Sequence, residues 1–291
     1  MAKTEFPLAG GVAVVTGAAG GIGRALALNL ARRGCALALV DRDEAGLTAT
    51  AEVARQAGPI VSEHLMDLAD TDAIAGLPEA VLSQHRRVNL LVNNAGVALM
   101  GDFLQTSSAD FDWLFAINFT AAVHATRAFL PHLLRQPASQ IVNLSSLFGL
   151  VAPPGQSAYA AAKFALRGFS EALGHELEAS SVGVTVVHPG GVATNIARNA
   201  KVSADIKPED ARKALSRFSR SLVTMPEAAA ARIVEGILRR ETRILIGRDA
   251  RVLDIVQRLA PVGYYALLRK RMSQRPASST RTTQWQAGSP T

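Results

Sequence analysis

The sequence predicts an α/β fold on a doubly wound parallel sheet of about seven strands, followed by a C-terminal amphipathic helical extension. Three observations lead there. Apolar runs of strand length alternate with amphipathic stretches of helix length from Val12 to about Ile246, the pattern of a parallel sheet covered on both faces. The 291 residues, 48% of them apolar, suffice for one large domain of roughly 250 residues plus an appendage. A cluster of glycines directly follows the first apolar run, where a strand must turn into a helix.

The first strand is expected at residues 12–16, a continuous apolar run ended by Gly17, and the first helix at 21–33. Strands at 36–40 and 60–66 and helices at 43–57 and 73–85 continue the alternation. A strand at 89–92 leads to one long helix at 108–134, and a strand at 140–145 to a helix at 157–179. The last pair of strands is placed at 184–188 and 243–246, with a helix at 226–239 between them. Residues 191–224 interrupt the rhythm with a short polar helical passage, longer than the usual connection. After Gly247, residues Val252, Ile255, Val256 and Leu259 follow helical spacing, and Pro261 separates them from a second short helix with Tyr264, Leu268 and Met272. The domain plan is therefore a catalytic domain at 1–250, amphipathic helices at 251–272 and a disordered basic tail at 273–291, rich in Ser, Thr, Gln, Pro and Arg.

The net charge of +7 raises the question of nucleic acid. From Arg251 onward seven basic residues face Asp254 alone, so the tail holds +6 and the first 250 residues about +1. No nucleic-acid partner is expected. The single Cys35 lies in an apolar run, where a thiol behaves as a small buried hydrophobe, and no stretch of about 18 apolar residues exists. A cytoplasmic location is expected. The six histidines do not cluster with Cys or carboxylates at metal spacings, so no metal site is expected.

The segment Thr16-Gly17-Ala18-Ala19-Gly20-Gly21-Ile22-Gly23 is a glycine-rich turn between a strand and a helix. Gly17 tolerates positive φ, Gly21 keeps a side chain out of the path of a pyrophosphate, and Gly23 lets helix and strand pack closely. The helix N-terminus then faces the phosphates with free N–H groups. Asp41 ends the second strand 18 residues past Gly23, placed to accept hydrogen bonds from an adenosine ribose. Its carboxylate would repel a 2′-phosphate of about −1.5 to −2 charge, which favours NAD. Arg42 pulls toward NADP, and NAD remains the favoured cofactor. Asp67, ending the third strand, is placed to meet the adenine amine or to act as a helix N-terminal acid.

Tyr159 and Lys163 stand four apart on a helix, so they share a face. An ammonium about 4 Å from a phenol at an effective dielectric near 20 contributes roughly 4 kcal/mol, or about three pKa units. The expectation is that Lys163 brings Tyr159 into range for general acid–base work near neutral pH. Ser146 ends the fifth strand 13 residues upstream, at the sheet edge that holds ligands in such folds. Its neighbour Ser145 points to the opposite face. His188 offers an imidazole as a rival base, without a serine nucleophile motif to accompany it.

Five motifs in order, Thr16-Gly17-x-x-x-Gly21-x-Gly23, Asn93-Asn94-Ala95-Gly96, Asn118, Ser146 with Tyr159-x-x-x-Lys163, and Pro189-Gly190-x-x-x-Thr194, make the stretch from Val12 to Gly247 resemble the short-chain dehydrogenase/reductase family in its compact branch. The resemblance implies a Rossmann-like fold and a catalytic tetrad of Asn118, Ser146, Tyr159 and Lys163. In it, Tyr159 exchanges the hydroxyl proton, Ser146 holds the substrate oxygen, Lys163 binds the nicotinamide ribose, and Asn118 fixes a water on a proton path. Cofactor contacts are implied for Thr16, Gly17, Gly21, Ile22 and Gly23 of the loop, and for Asp41, Arg42, Asp67 and Leu68 at the adenosine end. Asn94, Ala95 and Gly96 would flank the adenosine side. Pro189, Gly190, Val192 and Thr194 would border the nicotinamide, the last two at its carboxamide.

Leu99, Met100, residues 147–154 and Ile196 onward are expected to border the substrate, and their apolar character points to a small hydrophobic secondary alcohol or ketone. Arg198 offers the alternative of a carboxylate or phosphate on that substrate. The resemblance also implies a homodimer through the long helices near Asn118 and Tyr159, or a homotetramer. The absence of a glycine-rich close after Ile246 puts the tetramer in doubt. The C-terminal apolar stripe is read as packing on protein in preference to a peripheral contact of Arg269-Lys270-Arg271 with an anionic membrane. The competing functional reading is a non-catalytic nicotinamide-binding sensor or scaffold; retention of both Tyr159 and Lys163 argues for the enzyme.

Overall fold

The computed structural model describes residues 5–266 and Arg269. In chain order the elements are β1 (Val12–Thr16), α1 (Gly21–Ala31), β2 (Ala36–Asp41), α2 (Glu44–Arg55), β3 (Val61–Leu65), α3 (Thr71–Gln84), β4 (Leu90–Asn93), β5 (Leu99–Met100) and α4 (Ser108–Phe115). There follow α5 (Ala121–Leu134), β6 (Ser139–Leu144), α6 (Ser157–Glu176), β7 (Val182–Pro189), β8 (Lys201–Val202), α7 (Pro208–Ser221), α8 (Pro226–Leu238), β9 (Arg243–Ile246) and α9 (Arg248–Leu259).

The main sheet is parallel and seven-stranded in the order β3-β2-β1-β4-β6-β7-β9. Strand order reverses between β1 and β4, so the chain leaves a crevice at their C-terminal ends. The inner strands β2, β1, β4, β6 and β7 serve two cores because successive side chains alternate. Ala13 and Val15 of β1 join Leu26 and Leu30 of α1 and Ile233 and Ile237 of α8 on one face. Val14 joins Ile74 and Leu77 of α3 and Phe129 and Leu133 of α5 on the other. Burial on both faces explains why the strands read as unbroken apolar runs. Asp43 and Asp70 fix where α2 and α3 begin, their carboxylates accepting from Gly46 N and from Asp72 N and Ala73 N.

Two findings depart from the sequence reading. The expected single helix at 108–134 is interrupted: α4 and α5 are joined by a π-helical turn, Ala116–Thr120. The Asn118 amide explains it, since Asn118 Nδ2 donates to Leu114 O at 3.1 Å and so takes a carbonyl of the ladder for itself. Residues 191–224 also hold more order than a short polar passage, with the fourteen-residue α7 and a two-stranded ladder in which β8 pairs with β5.

The chain falls into two compact units divided between Asp254 and Ile255. In the second, helix α9 ends at Leu259 and residues 264–266 are helical. Leu268, Lys270, Arg271, Met272 and the tail at 273–291 lie outside the described residues. Among the described residues no helix is long and apolar enough to cross a membrane, and no group of His, Cys, Asp or Glu is arranged to hold a metal ion.

Candidate active site

The crevice at the β1–β4 reversal opens into a cleft of about 610 Å³. Its floor at one end is the glycine turn. Gly17 (φ 68°) and Gly21 (φ 53°) hold left-handed backbone that other residues resist. A Cβ on Gly23 would run into the carbonyl oxygen of Gly17, so the helix start and the turn can approach only without a side chain there. At Gly21 a Cβ would also meet the Thr194 methyl, at 2.9 Å. Around Gly20 nothing lies within 4 Å of a Cβ, so the turn leaves open space.

Several expected cofactor residues brace this cradle. Asn94 Nδ2 donates to Thr16 O at 2.9 Å and Gly17 O at 3.1 Å, tying β4 to the turn. Asp41 accepts from Ala19 N at 2.9 Å, and from Arg42 N and Asp43 N through its other oxygen. Thr16 and Gly23 are buried and do not line the cleft. Thr16 Oγ1 instead accepts from Asn94 N and Ala95 N at 3.0 and 3.1 Å. Asp67 does not cap α3, a role taken by Asp70; it accepts from Ala69 N and stands 4.0 Å from Arg42. Gly17, Gly21, Ile22, Asp41, Arg42, Asp67, Leu68, Asn94, Ala95, Gly96, Pro189, Gly190, Val192 and Thr194 all line the cleft.

At the other end Ser146, Tyr159 and Lys163 come together. Ser146 follows β6, and its Oγ accepts from Phe148 N at 3.1 Å. The Tyr159 hydroxyl is hydrogen-bonded to Ser146. Ser145 Oγ donates to Lys163 O at 2.8 Å, so it pins α6 to β6 and leaves the open side to Ser146. Lys163 Nζ donates to Leu144 O at 3.0 Å and lies 5.7 Å from the Tyr159 ring centroid. Asn118 sits one layer behind, 1% exposed, donating to Val97 O at 3.0 Å and accepting from Val97 N at 3.3 Å. It touches the cleft wall through Val97 and Gly96 and does not line it.

The electrostatics correct one expectation. Burial pushes the Tyr159 phenol above its usual value, against a smaller downward pull from the Ser146 hydrogen bond. Burial also pulls the Lys163 ammonium down to about 7. The lysine is therefore not a full cation lowering its neighbour's pKa. It is a group that can give up its own proton at neutral pH. His188 is no rival base: it is 0% exposed, burial brings it down to about 4, and its Nδ1 faces Ser146 O at 3.0 Å. A carbonyl only accepts, so Nδ1 carries the proton.

Beyond Ser146 and Tyr159 the cleft is walled by Trp113, Ile117, Leu147, Phe148, Ile196, Phe218 and Leu222, with Gln156 and Asn199 as polar members. Of the expected substrate positions, Leu147, Phe148 and Ile196 are present; Leu99, Met100, Arg198 and residues 149–154 are not. Leu99 packs into a small core with Leu114, Ala158 and Ala162, and Met100 serves the β5–β8 ladder. Lys201 of β8 also pairs with Asp110 and lies 5.2 Å over the Trp113 ring, fastening the 191–224 segment to α4. Trp113, Phe218, Leu222 and Asp249 escaped the sequence reading. Asp249, in the first turn of α9, reaches the cleft beside Gly190 and Gly191.

Comparison with known proteins yields four findings. Residues 11–205 match a family model described as short chain dehydrogenase. The oxidoreductase SadH of Mycobacterium tuberculosis is 42% identical over 262 residues, 89% of this chain and 94% of that protein. A cyclopentanol dehydrogenase of Comamonas testosteroni is 37% identical over 184 residues, 63% of this chain and 73% of that protein. Among solved structures, a short chain dehydrogenase/reductase from Burkholderia phymatum in complex with NAD superposes with a TM-score of 0.79 at 32% identity, over 88% of this chain and 95% of that one.

Proposed function

The chain belongs to the short-chain dehydrogenase/reductase family, and from that premise we propose that it catalyses reversible hydride transfer between NAD and a small hydrophobic secondary alcohol or ketone. The observation that carries this reading is the Tyr159 hydroxyl, hydrogen-bonded to Ser146 in the same cleft as the glycine turn. The cradle suits a dinucleotide: left-handed glycines, open space at Gly20 and the carboxylate of Asp41 at the adenosine end. The NAD-bound relative supports the cofactor class, and Asp41 favours NAD over NADP. When bound, the nicotinamide supplies the hydride acceptor for an alcohol or the hydride donor for a ketone.

In reduction Tyr159 gives its proton to the carbonyl oxygen, and in alcohol oxidation it takes the hydroxyl proton once its own has left, while Ser146 Oγ holds that oxygen. Lys163, whose Nζ lies 5.7 Å from the Tyr159 ring centroid, is assigned to the nicotinamide ribose. Asn118 acts from behind by fixing residues 96 and 97 at the turn of the wall. Val192 and Thr194 are assigned to the nicotinamide carboxamide. The wall of Trp113, Phe148 and Phe218 favours an apolar substrate, in keeping with the cyclopentanol dehydrogenase among its relatives. We also assign a homodimer to the long helices near Asn118 and Tyr159, where half-buried Phe111 and Phe115 of α4, Phe119 of the π turn and Phe169 of α6 meet ring to ring in series. The test is a spectrophotometric survey of cyclic and aliphatic secondary alcohols with NAD and NADP. Turnover of apolar alcohols with NAD is expected; turnover confined to sugars or charged substrates, or none, overturns the reading.

A further inference from the structure

The carboxylate of Asp249 occupies a place made for it. Its Oδ2 accepts from Gly191 N at 2.8 Å and its Oδ1 from Ala250 N at 2.9 Å. A Cβ on Gly190 or on Gly247 would run into this carboxylate, so two glycines keep room for it. Among the described residues no ion pair neutralises it. The other carboxylates on the cleft wall, Asp41, Asp43 and Asp67, gather at the ends of β2 and β3, at the adenosine end. Asp249 alone among the described acidic side chains stands at the Pro189–Val192 wall.

We propose that Asp249 is the residue by which the cleft distinguishes the two redox forms of its cofactor, favouring the oxidised, cationic nicotinamide over the neutral reduced one. The inference rests on the function proposed above, which puts the nicotinamide against Val192 and Thr194. Adenine, riboses and phosphates are the same in both forms, so the difference that a fixed carboxylate at this end makes between them comes from the ring charge. Within the bound complex it draws the balance toward oxidised cofactor and alcohol. In that direction the ketone carbon gains the hydride, its oxygen gains the Tyr159 proton, and positive charge develops on the ring. Asp249 thus helps set the direction in which the Tyr159 chemistry runs most readily.

The test is calorimetric titration of the full-length protein with NAD⁺ and with NADH, for the wild type and Asp249→Asn, which keeps the size and one accepting oxygen. The NAD⁺ Kd is expected to rise about fivefold, the order for one charge acting across a wet cleft, with the NADH Kd unchanged. Equal weakening of both forms, or no change in either, overturns the proposal and leaves Asp249 as a tie between α9 and Gly191. Should the variant fail to fold, the wild type decides by salt. The ratio of NAD⁺ Kd to NADH Kd then rises severalfold between low salt and about 0.5 M salt as the carboxylate is screened, and a flat ratio overturns the proposal. A wild type that binds neither form refutes the proposed function itself, and with it this inference.

Discussion

The nucleotide half of the cleft is walled mainly by main chain: glycines at 17, 20 and 21, the Asn94–Thr16 ties and the carboxylate of Asp41 turned onto Ala19 N. The substrate half is walled by side chains from widely separated segments, with Trp113 and Ile117 near the π turn, Phe148 after β6, and Phe218 in α7. One half rests on backbone that at Gly17 and Gly21 resists an added atom. The other rests on apolar volume, which can be exchanged at modest cost. Chemistry common to a family belongs on the first kind of wall, and the choice of substrate on the second.

Substitutions should therefore sort by half. The largest expected effect lies at the junction: Tyr159→Phe keeps the ring and loses the hydroxyl, so kcat should fall by about a thousandfold while calorimetry finds the NAD Kd unchanged. A large loss of cofactor affinity would show that the two halves are not separable. Next comes the pH dependence of stability. The unfolded chain keeps Lys163 protonated to about pH 10.5, whereas the fold does so only to about 7. The unfolded state thus binds more protons between those values, and stability should climb as pH rises through that window, by up to about 5 kcal/mol. Denaturant melts of the cofactor-free protein should show this slope, and Lys163→Met should flatten it. His188 acts at the acid side: with its folded value near 4, stability should decline as pH falls from about 6.5 toward 4.

A smaller effect is expected from Gly23→Ala, which forces a methyl against Gly17 O. It should cost about 2 kcal/mol of stability and raise the NAD Kd more than tenfold, with substrate preference intact. The smallest comes from the substrate wall. Phe218→Ala should raise KM for bulky apolar alcohols by about tenfold, a loss of one to two kcal/mol of burial, and leave the NAD Kd alone. A change in NAD affinity there would break the division between halves.

The same division explains what was legible in the sequence. Glycines at 17, 21 and 23 and the spacing of Ser146, Tyr159 and Lys163 are local patterns, fixed by strand and helix geometry within short stretches. The sheet was legible for the same reason, since each strand buried on both faces reads as an apolar run. Trp113 and Phe218 were not, because an aromatic residue on a helix reads the same whether it packs in a core or faces a cleft over a hundred residues away in sequence. Asp249 carries no local signal in the sequence, and only the fold reveals Gly190 and Gly191 against it. The π turn at Asn118 has no periodic signature, since it depends on one amide reaching Leu114 O. At Tyr159 and Lys163 the spacing suggested a charged ammonium acting on a phenol at an effective dielectric near 20, and burial of both groups reverses the expected direction.

The central claim is that one cleft brings the Tyr159 hydroxyl and a nicotinamide to the same carbon. It is tested most directly by incubating the protein with NAD⁺ and cyclopentanol carrying deuterium on the carbinol carbon, then locating the label by mass spectrometry. The account predicts deuterium on the nicotinamide ring with the wild type, and none above background with Tyr159→Phe despite normal NAD⁺ binding. Label that never reaches the ring with any apolar secondary alcohol, or that reaches it as fast without the tyrosine hydroxyl, would contradict it.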